Sequence, residues 1–276
     1  MTAETRSWAG RTAVITGGAR GIGLAVARRL SEAGGAVVIV DVDPDVVAKA
    51  TADVPALVGI TGDVRDPERM AGIAEEVRGR FGGVDLLHAN AGVTPREPGE
   101  RLWEIPDESW QWVFGVNLFG VINTLRAFVP LVLERASSQV LVTASYAAYF
   151  AAPISPEYFT SKPAVASLAE ALDAQFRREG LDVGVTTLVP SLVTTDLGRW
   201  REDRWSPETL LGSLPNPRMS PEGVADQVIE ALDRRQRYVF THPESFELAR
   251  SRFAALEEAV AEDLARFGSS ESRGAS

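Results

Sequence analysis

The 276-residue sequence contains no cysteine. That excludes a disulfide framework, a thiolate nucleophile and any cysteine-ligated metal site. Histidine is almost as scarce: His88 and His242 are too few and too distant to build a zinc site of the usual kind, and no metal is expected. A carboxylate-held magnesium is not excluded by counting alone. There is no basic excess, since 38 acidic residues face 28 basic ones and the formal charge is −10. That balance argues against a nucleic-acid partner or an anionic membrane surface. No apolar run approaches the ~20 residues of a membrane span, and the opening MTAETRSWAG lacks the apolar stretch of a signal peptide. The expectation is a cytoplasmic protein. Lysine is the last scarcity: Lys49 and Lys162 are the only two, so arginine is the default cation of this chain.

What is present is an alternation of short β-branched runs with longer amphipathic stretches. Strands are expected near Thr12–Thr16, Ala36–Val40, Ala56–Ile60, Asp85–Ala89, Gln139–Thr143, Val183–Val189 and Tyr238–Phe240. Helices are expected near Ile22–Ala33, Pro67–Phe81, Asp107–Arg135, Glu157–Glu179, Pro221–Asp233 and Pro243–Phe267. Strands this short, without strict alternation, suit a parallel sheet buried on both faces. The pattern predicts an α/β protein with about seven parallel strands and helices on both faces, in three layers. No repeat or linker interrupts it, so residues 1–268 read as a single domain, followed by a disordered tail at 269–276. Two segments break the rhythm. Pro95–Pro106 is a loop rich in proline and charge, and 197–219 is long, with Trp200, Trp205, Leu210 and Leu211. A loop of that length is more often functional than idle, and it reads as a lid or as a subunit contact.

The first predicted strand runs into TGGARGIG, with Gly17, Arg20, Gly21, Ile22 and Gly23, and then into a helix. Glycines can serve only a turn, but here the strand before and the helix after supply the context of a dinucleotide site. Glycine lets the backbone approach a pyrophosphate, whose charge then rests at the helix N-terminus. The second strand ends at Asp41, where a carboxylate can accept bonds from a ribose 2′-hydroxyl and would repel a 2′-phosphate. Arg20 pulls the other way, because a guanidinium could pair with that phosphate, yet the carboxylate outweighs a flexible surface arginine. NAD is therefore favoured over NADP. Asp41 could also be a mere turn residue, since DVDP is a good turn sequence.

One of the two lysines stands four residues after a tyrosine, in YFTSK at Tyr158–Lys162. With the spacing Gly-x-x-x-Gly-x-Gly in the first loop, this pair resembles the short-chain dehydrogenase/reductase family. The resemblance covers roughly residues 9 to 195, more loosely to about 245, and implies a Rossmann-like fold. It implies that Asp63 and Val64 of GDV lie by the adenine, and that Asn90, Ala91 and Gly92 of HANAG border a ribose. His88 before them reads as a packed core histidine. Ser145, Tyr158, Lys162 and Asn117 of VNLFG match the family's active-site set, in which Asn117 would hold a relay water. Tyr158 and Lys162 would also touch the cofactor. Pro190, Val193 and Thr195 match the segment that holds the nicotinamide carboxamide. Three departures stand out: Ala89 and Ala144 where the family often has polar residues, and Ser191 where it has glycine. Pro163 is a further oddity, tolerated near a helix start or at the cost of a hydrogen bond and a kink. Lys162 is therefore expected in the first turns of its helix.

Carbonyl–alcohol hydride transfer needs a proton supplied to or removed from oxygen. An ordinary tyrosine, with a pKa of about 10, is too weak a base near neutral pH, and lowering it by ~2–3 units takes roughly 3–4 kcal/mol. One ammonium at ~4 Å supplies about 4 kcal/mol at an effective dielectric near 20. Residues i and i+4 share a helix face, and a compact ammonium can also donate to ribose hydroxyls, which a planar guanidinium would do with different geometry. The resemblance thus implies an NAD-dependent alcohol dehydrogenase or ketone reductase acting on a small molecule. Val93, Thr94, Tyr146, Tyr149, Phe150, Ser191 and Leu192 would border the substrate, which makes it apolar or cyclic. A homodimer or homotetramer through the long helices near Asp107–Arg135 and Glu157–Glu179 is also implied. Two other readings stay open: a dehydratase or epimerase without net redox change, and a catalytically silent NAD-binding regulator.

Overall fold

The computed structural model describes residues 7–96, 101–195 and 218–271. Seven parallel strands form one sheet: β1 (Thr12–Thr16), β2 (Ala36–Asp41), β3 (Leu57–Thr61), β4 (Leu86–Ala89), β5 (Ser138–Thr143), β6 (Val183–Val189) and β7 (Tyr238–Phe240). Their order is β3-β2-β1-β4-β5-β6-β7. Side chains alternate across each strand, so Val14, Val38 and Val40 enter one core while Ala13, Ile15, Val37 and Ile39 enter the other. Both faces are therefore covered. On one side pack α1 (Gly21–Glu32), α2 (Pro44–Asp53) and α7 (Pro221–Asp233); on the other pack α3 (Pro67–Phe81), α4 (Asp107–Phe114), α5 (Gly120–Leu133) and α6 (Pro156–Arg178). A final helix, α8 (Phe246–Glu271), follows β7.

The strands lie where the β-branched runs place them, within one residue at either end. Helix α2 was not expected. Asp43 caps it, accepting from Asp45 N (3.1 Å) and Val46 N (3.3 Å), with Pro44 as the first helical residue. The same Asp-Pro pair that signals a turn also signals a helix start, and here the second meaning holds. The expected helix Asp107–Arg135 is three pieces: α4, a π-helical turn at Gly115–Phe119, and α5, ending at Leu133. By length and hydropathy Asp107–Leu133 could cross a membrane, which corrects the reading that no apolar stretch approaches that length. It is a core helix: Phe128, Leu131 and Val132 are buried against the sheet.

Pro163 lies at the eighth position of α6, inside the helix, and not at its start. Having no N–H, it leaves the Phe159 carbonyl without its i+4 donor, yet α6 continues to Arg178. Lys162 is in the second turn, as expected. Of the two irregular loops, Pro95–Pro106 carries a short 3₁₀ turn at Leu102–Glu104, with 97–100 outside the described residues. Most of the 197–219 segment, including Trp200, Trp205, Leu210 and Leu211, also lies outside them. Helix α8 runs three residues into the stretch read as a tail, and 272–276 lie outside the described residues.

Candidate active site

Strand order reverses between β1 and β4, because β2 and β3 lie on one side of β1 and β5 to β7 lie beyond β4. The crevice at such a switch point, beyond the C-terminal strand ends, is where parallel sheets bind ligands. A cleft of about 530 Å³ opens there. It is lined by Gly17, Arg20, Gly21, Ile22, Asp41, Asp63, Val64, Asn90, Ala91, Gly92, Tyr158, Lys162, Pro190 and Thr195, so most of the expected site converges on it.

The glycine loop is fixed by close approach. Gly17 has φ +60°, and a Cβ there would meet the Ala91 Cα at 2.8 Å. A Cβ on Gly23 would overlap the Gly17 carbonyl and come within 2.7 Å of Asn90 Nδ2. Gly21 has φ +52° and faces the Thr195 side chain, which brings the segment after β6 over the loop. Helix α1 begins at Gly21 with no side-chain cap and no acidic residue in its first turn. Its N-terminal N–H groups thus offer a cradle for an anion. Val193 is held by a parallel bridge to Met219, and Thr195 N donates to its carbonyl at 2.8 Å.

Asp41 is buried at the end of β2, with Oδ2 accepting from Ala19 N (3.3 Å) and Oδ1 from Val42 N (2.9 Å). Arg20 does not oppose it. The Arg20 guanidinium lies 3.7 Å from Asp41 Oδ1 and 3.5 Å from Asp43 Oδ2, so its charge is shared between two carboxylates. Asp63 is bound by Arg65 through Nε (2.9 Å to Oδ2) and the backbone N–H (2.9 Å to Oδ1), which holds its carboxyl below the usual range. The guanidiniums of Arg65 and Arg96 lie 5.0 and 4.2 Å from the Trp112 ring centroid, and all three residues line the cleft. Trp112 is thus more than the core filler its helical position suggests.

Asn117 sits in the π turn, fully buried. Its Oδ1 accepts from Val93 N (2.7 Å), and its Nδ2 donates to Val93 O (3.0 Å) and Ser161 Oγ (3.1 Å). An amide inside an apolar helix is tolerated because all these partners are met. The π turn is a single-turn widening of the kind that gathers at functional sites. Ser145 follows β5, buried, with Oγ accepting from Ala147 N at 3.1 Å. It is not among the residues lining the cleft itself.

Lys162 is buried; burial pushes its ammonium down to about 8, so it is still charged at pH 7. Its Nζ donates to Thr143 O at 3.3 Å and lies 5.6 Å from the Tyr158 ring centroid. A Cβ on Gly92 would stand 3.5 Å from Lys162 Nζ and 3.6 Å from Asn117 Oδ1, so this glycine is flanked by both polar ends. Tyr158 follows Ser155, a buried residue at φ 41°, the left-handed region that strains a serine.

Two contributors were missed. Ser161 ties Asn117 to α6, and Thr143 carries a directional chain. Asn90 Nδ2 donates to the carbonyls of Thr16 and Gly17, so its Oδ1 accepts, here from Thr143 Oγ1 at 3.0 Å. The Thr143 hydroxyl proton is then used, and His88 Nε2 must donate to Thr143 Oγ1 across their 2.8 Å contact. His88 is fully buried and pushed down to about 3 by burial, hence neutral. It is a packed histidine, as expected, but one that braces the strand end holding Lys162.

Beside this polar center lies an aromatic cluster. Tyr146 and Phe150 pack with tilted rings at 4.9 Å, Phe150 meets Phe159 edge-on at 5.2 Å, and Tyr149 lies 5.6 Å from Phe240. Burial pushes the Tyr149 hydroxyl up to about 12. Leu192 packs on the same cluster, and Ser191 is half-buried with its N–H donated to Thr241 Oγ1 at 3.3 Å.

The residues present fit a dinucleotide: an uncapped helix start, a glycine cradle that a Cβ would fill, and an acid at the end of β2. Sheet and site together define a dinucleotide-binding α/β protein. The family model described as short chain dehydrogenase matches residues 11–205. The 1-deoxy-11-beta-hydroxypentalenate dehydrogenase of Streptomyces exfoliatus is 35% identical over 240 residues, covering 85% of this chain and 84% of that protein. The 2-dehydro-3-deoxy-L-rhamnonate dehydrogenase (NAD(+)) of Sphingomonas sp. is 33% identical over 180 residues, covering 65% and 72%. A solved short-chain dehydrogenase/reductase from Burkholderia phymatum, in complex with NAD, superposes with a TM-score of 0.82 at 30% identity, covering 92% and 96%. The chain belongs to the short-chain dehydrogenase family. It is an oxidoreductase acting on CH–OH groups with a nicotinamide cofactor.

Proposed function

We propose that this enzyme interconverts a secondary alcohol and its ketone with NAD(H), on an apolar or cyclic substrate, as a single cytoplasmic domain within a homo-oligomer. The observation that carries the reading is the buried ammonium of Lys162 beside the Tyr158 ring, both opening on the glycine-loop cleft. In oxidation, Tyr158 Oη takes the hydroxyl proton; in reduction it returns it. Lys162 favours the phenolate form by its charge and, held by the Thr143 carbonyl, stays in place for ribose hydroxyls. Ser145 orients the substrate oxygen through its hydroxyl proton, since its oxygen already accepts from Ala147 N. Asn117, anchored on both sides, fixes the solvent end of the proton path. The bound nicotinamide supplies or accepts the hydride.

NAD is preferred because Asp41 is buried and Arg20 is shared with Asp43, which leaves a 2′-phosphate facing negative charge. The NAD in the name of the Sphingomonas relative and in the Burkholderia complex supports this choice. The aromatic cluster supports an apolar substrate, and the hydroxy group in the Streptomyces relative's name supports an alcohol as the reacting group. Oligomerisation through the α4–α5 stretch and α6 is supported by Phe119 and Leu133, both exposed on the α4–α5 stretch.

The test is a titration with NADH and NADPH by nicotinamide fluorescence, followed by NAD turnover over a panel of cyclic and open-chain secondary alcohols. Tight NADH binding, weak NADPH binding and turnover abolished by Tyr158→Phe are expected. Failure of both nucleotides to bind would sink the reading. Turnover of charged sugar acids alone would sink its substrate half.

A further inference from the structure

Helix α8 leaves the body of the protein after Ala249, and from Arg250 to Phe267 every side chain is exposed. A helix of this length gains most of its stability from packing an apolar face, and this one has such a face on display. Phe253, Leu256, Val260, Leu264 and Phe267 are 40%, 55%, 59%, 68% and 64% exposed. At 3.6 residues per turn they fall within a sector of about 80°, a seam narrower than the stripe of a core-facing helix. Glu257, Glu258, Glu262 and Asp263 occupy the intervening positions.

The order of the seam singles out its occupant. Leucine stands four residues before and four after Val260, and phenylalanine stands seven before and seven after. Read from either end, the stripe is the same: Phe, Leu, Val, Leu, Phe. A pattern unchanged by reversal complements itself when two copies run in opposite directions. Phe253 then meets the partner's Phe267, Leu256 the partner's Leu264, and Val260 the partner's Val260 on a two-fold axis. That is the requirement for an isologous two-fold interface. We propose that α8 pairs antiparallel with α8 of a second copy of this chain, centred on Val260.

The area is sufficient. The exposed parts of the five side chains amount to roughly 500 Å² per chain, so pairing buries about the 1,000 Å² that a specific interface needs. Direction follows from the bodies that carry the helices. The body joins α8 near Phe246, about 21 Å from Val260 along the axis, so antiparallel pairing holds the two bodies at opposite ends. Side-by-side pairing would crowd them at one end and align the two helix dipoles. This surface is separate from the α4–α5 stretch and α6, and it does not depend on the enzymatic reading.

The mass in solution, by light scattering, is expected to be a multiple of the 29.7 kDa chain, and Val260→Glu should halve it. A monomeric wild type at every concentration, or a mass unchanged in V260E, would overturn the proposal. Because the chain has no cysteine, single Phe253→Cys and Phe267→Cys variants give an independent readout under mild oxidation. Antiparallel pairing sets two copies of position 253 about 21 Å apart, too far for a disulfide, but brings 253 next to 267. Disulfide dimers should form only when the two variants are mixed. Cross-linking of F253C alone would show parallel pairing and overturn the antiparallel seam. Binding of wild type, but not V260E, to anionic phospholipid vesicles with no change of mass would assign the face to a membrane and overturn it as well.

Discussion

The glycine-loop wall of the cleft and the aromatic wall beside its polar center are built by opposite means. On the first, backbone meets backbone: Gly17 lies against Ala91, Gly23 against the Gly17 carbonyl, and Thr195 over Gly21. Little there depends on side-chain bulk, and almost any added atom is excluded. On the second, Tyr146, Tyr149, Phe150, Phe159 and Phe240 pack ring to ring, and shape is set by interchangeable apolar volume. A wall of backbone contacts suits a ligand that does not change. A wall of side chains suits one that differs between relatives, because it can be reshaped residue by residue.

Lys162 lies on the cleft beside the Tyr158 ring, and its replacement should give the largest effect. Lys162→Met should lower kcat/KM by roughly 10³-fold, within the range seen when acid–base machinery is disabled. The same change should not cost stability. A lysine whose folded value is about 8 against an unfolded 10.5 binds fewer protons folded than unfolded between those pH values, so its contribution to stability rises with pH across that window. Below pH 8 both states are protonated and the burial cost is constant, about 3 kcal/mol. K162M should therefore melt higher than the wild type at pH 7, with the gap closing as pH rises from 8 toward 10.5. Thermal melts over that range check it; a variant less stable at pH 7 would mean that Lys162 is a structural strut.

Gly23→Ala probes the backbone wall. Its Cβ would overlap the Gly17 carbonyl, a clash of fixed groups that no rotamer relieves. A loss of about 2–4 kcal/mol is expected, shared between folding and nucleotide affinity. NADH titration of the folded fraction should show at least a ~10-fold weakening. Unchanged binding would remove this loop from the nucleotide site.

How much of this was legible follows from what each signal rests on. The strands were legible because a fully buried parallel strand leaves a run of β-branched residues, and the seven fall within a residue of their expected ends. The glycine loop, Asp41, Tyr158 and Lys162 could be placed because each sits at a fixed distance from an element boundary, and the cleft brings them together. What could not be read depends on pairs distant in sequence. Thr143 gains its place from His88, Asn90 and Lys162, and Ser161 from Asn117; neither stands out in VTAS or TSK. Arg20 could be set against Asp41 or beside it, and only the loop geometry decides that it lies beside Asp41 and Asp43. Helix α2 was hidden because Asp-Pro serves turns and helix starts alike, and the π turn because one extra residue leaves no periodic trace over five positions.

Asp41→Ala tests the acid at the far end of the backbone wall. Removing the carboxylate leaves Arg20 with Asp43 alone, 3.5 Å away, and lifts the repulsion on a 2′-phosphate. The ratio of NADH to NADPH affinity should fall by roughly 10–100-fold, or about 1.4–2.8 kcal/mol. Equal weakening for both nucleotides would mean that Asp41 only shapes the loop through Ala19 N.

The smallest effect should come from the aromatic wall. Phe150 touches Tyr146 and Phe159, and Phe150→Ala leaves a hole that neighbouring rings can partly fill. For an apolar alcohol kcat/KM should fall about 10-fold, chiefly through KM, because a few methylene-sized contacts are worth ~1–3 kcal/mol in a hydrophobic pocket. NADH affinity should stay within twofold, since the ring partners of Phe150 among the described residues, Tyr146 and Phe159, lie outside the glycine loop. If NADH affinity falls in parallel, the two walls are mechanically one, and the substrate side cannot be reshaped without disturbing the cofactor side.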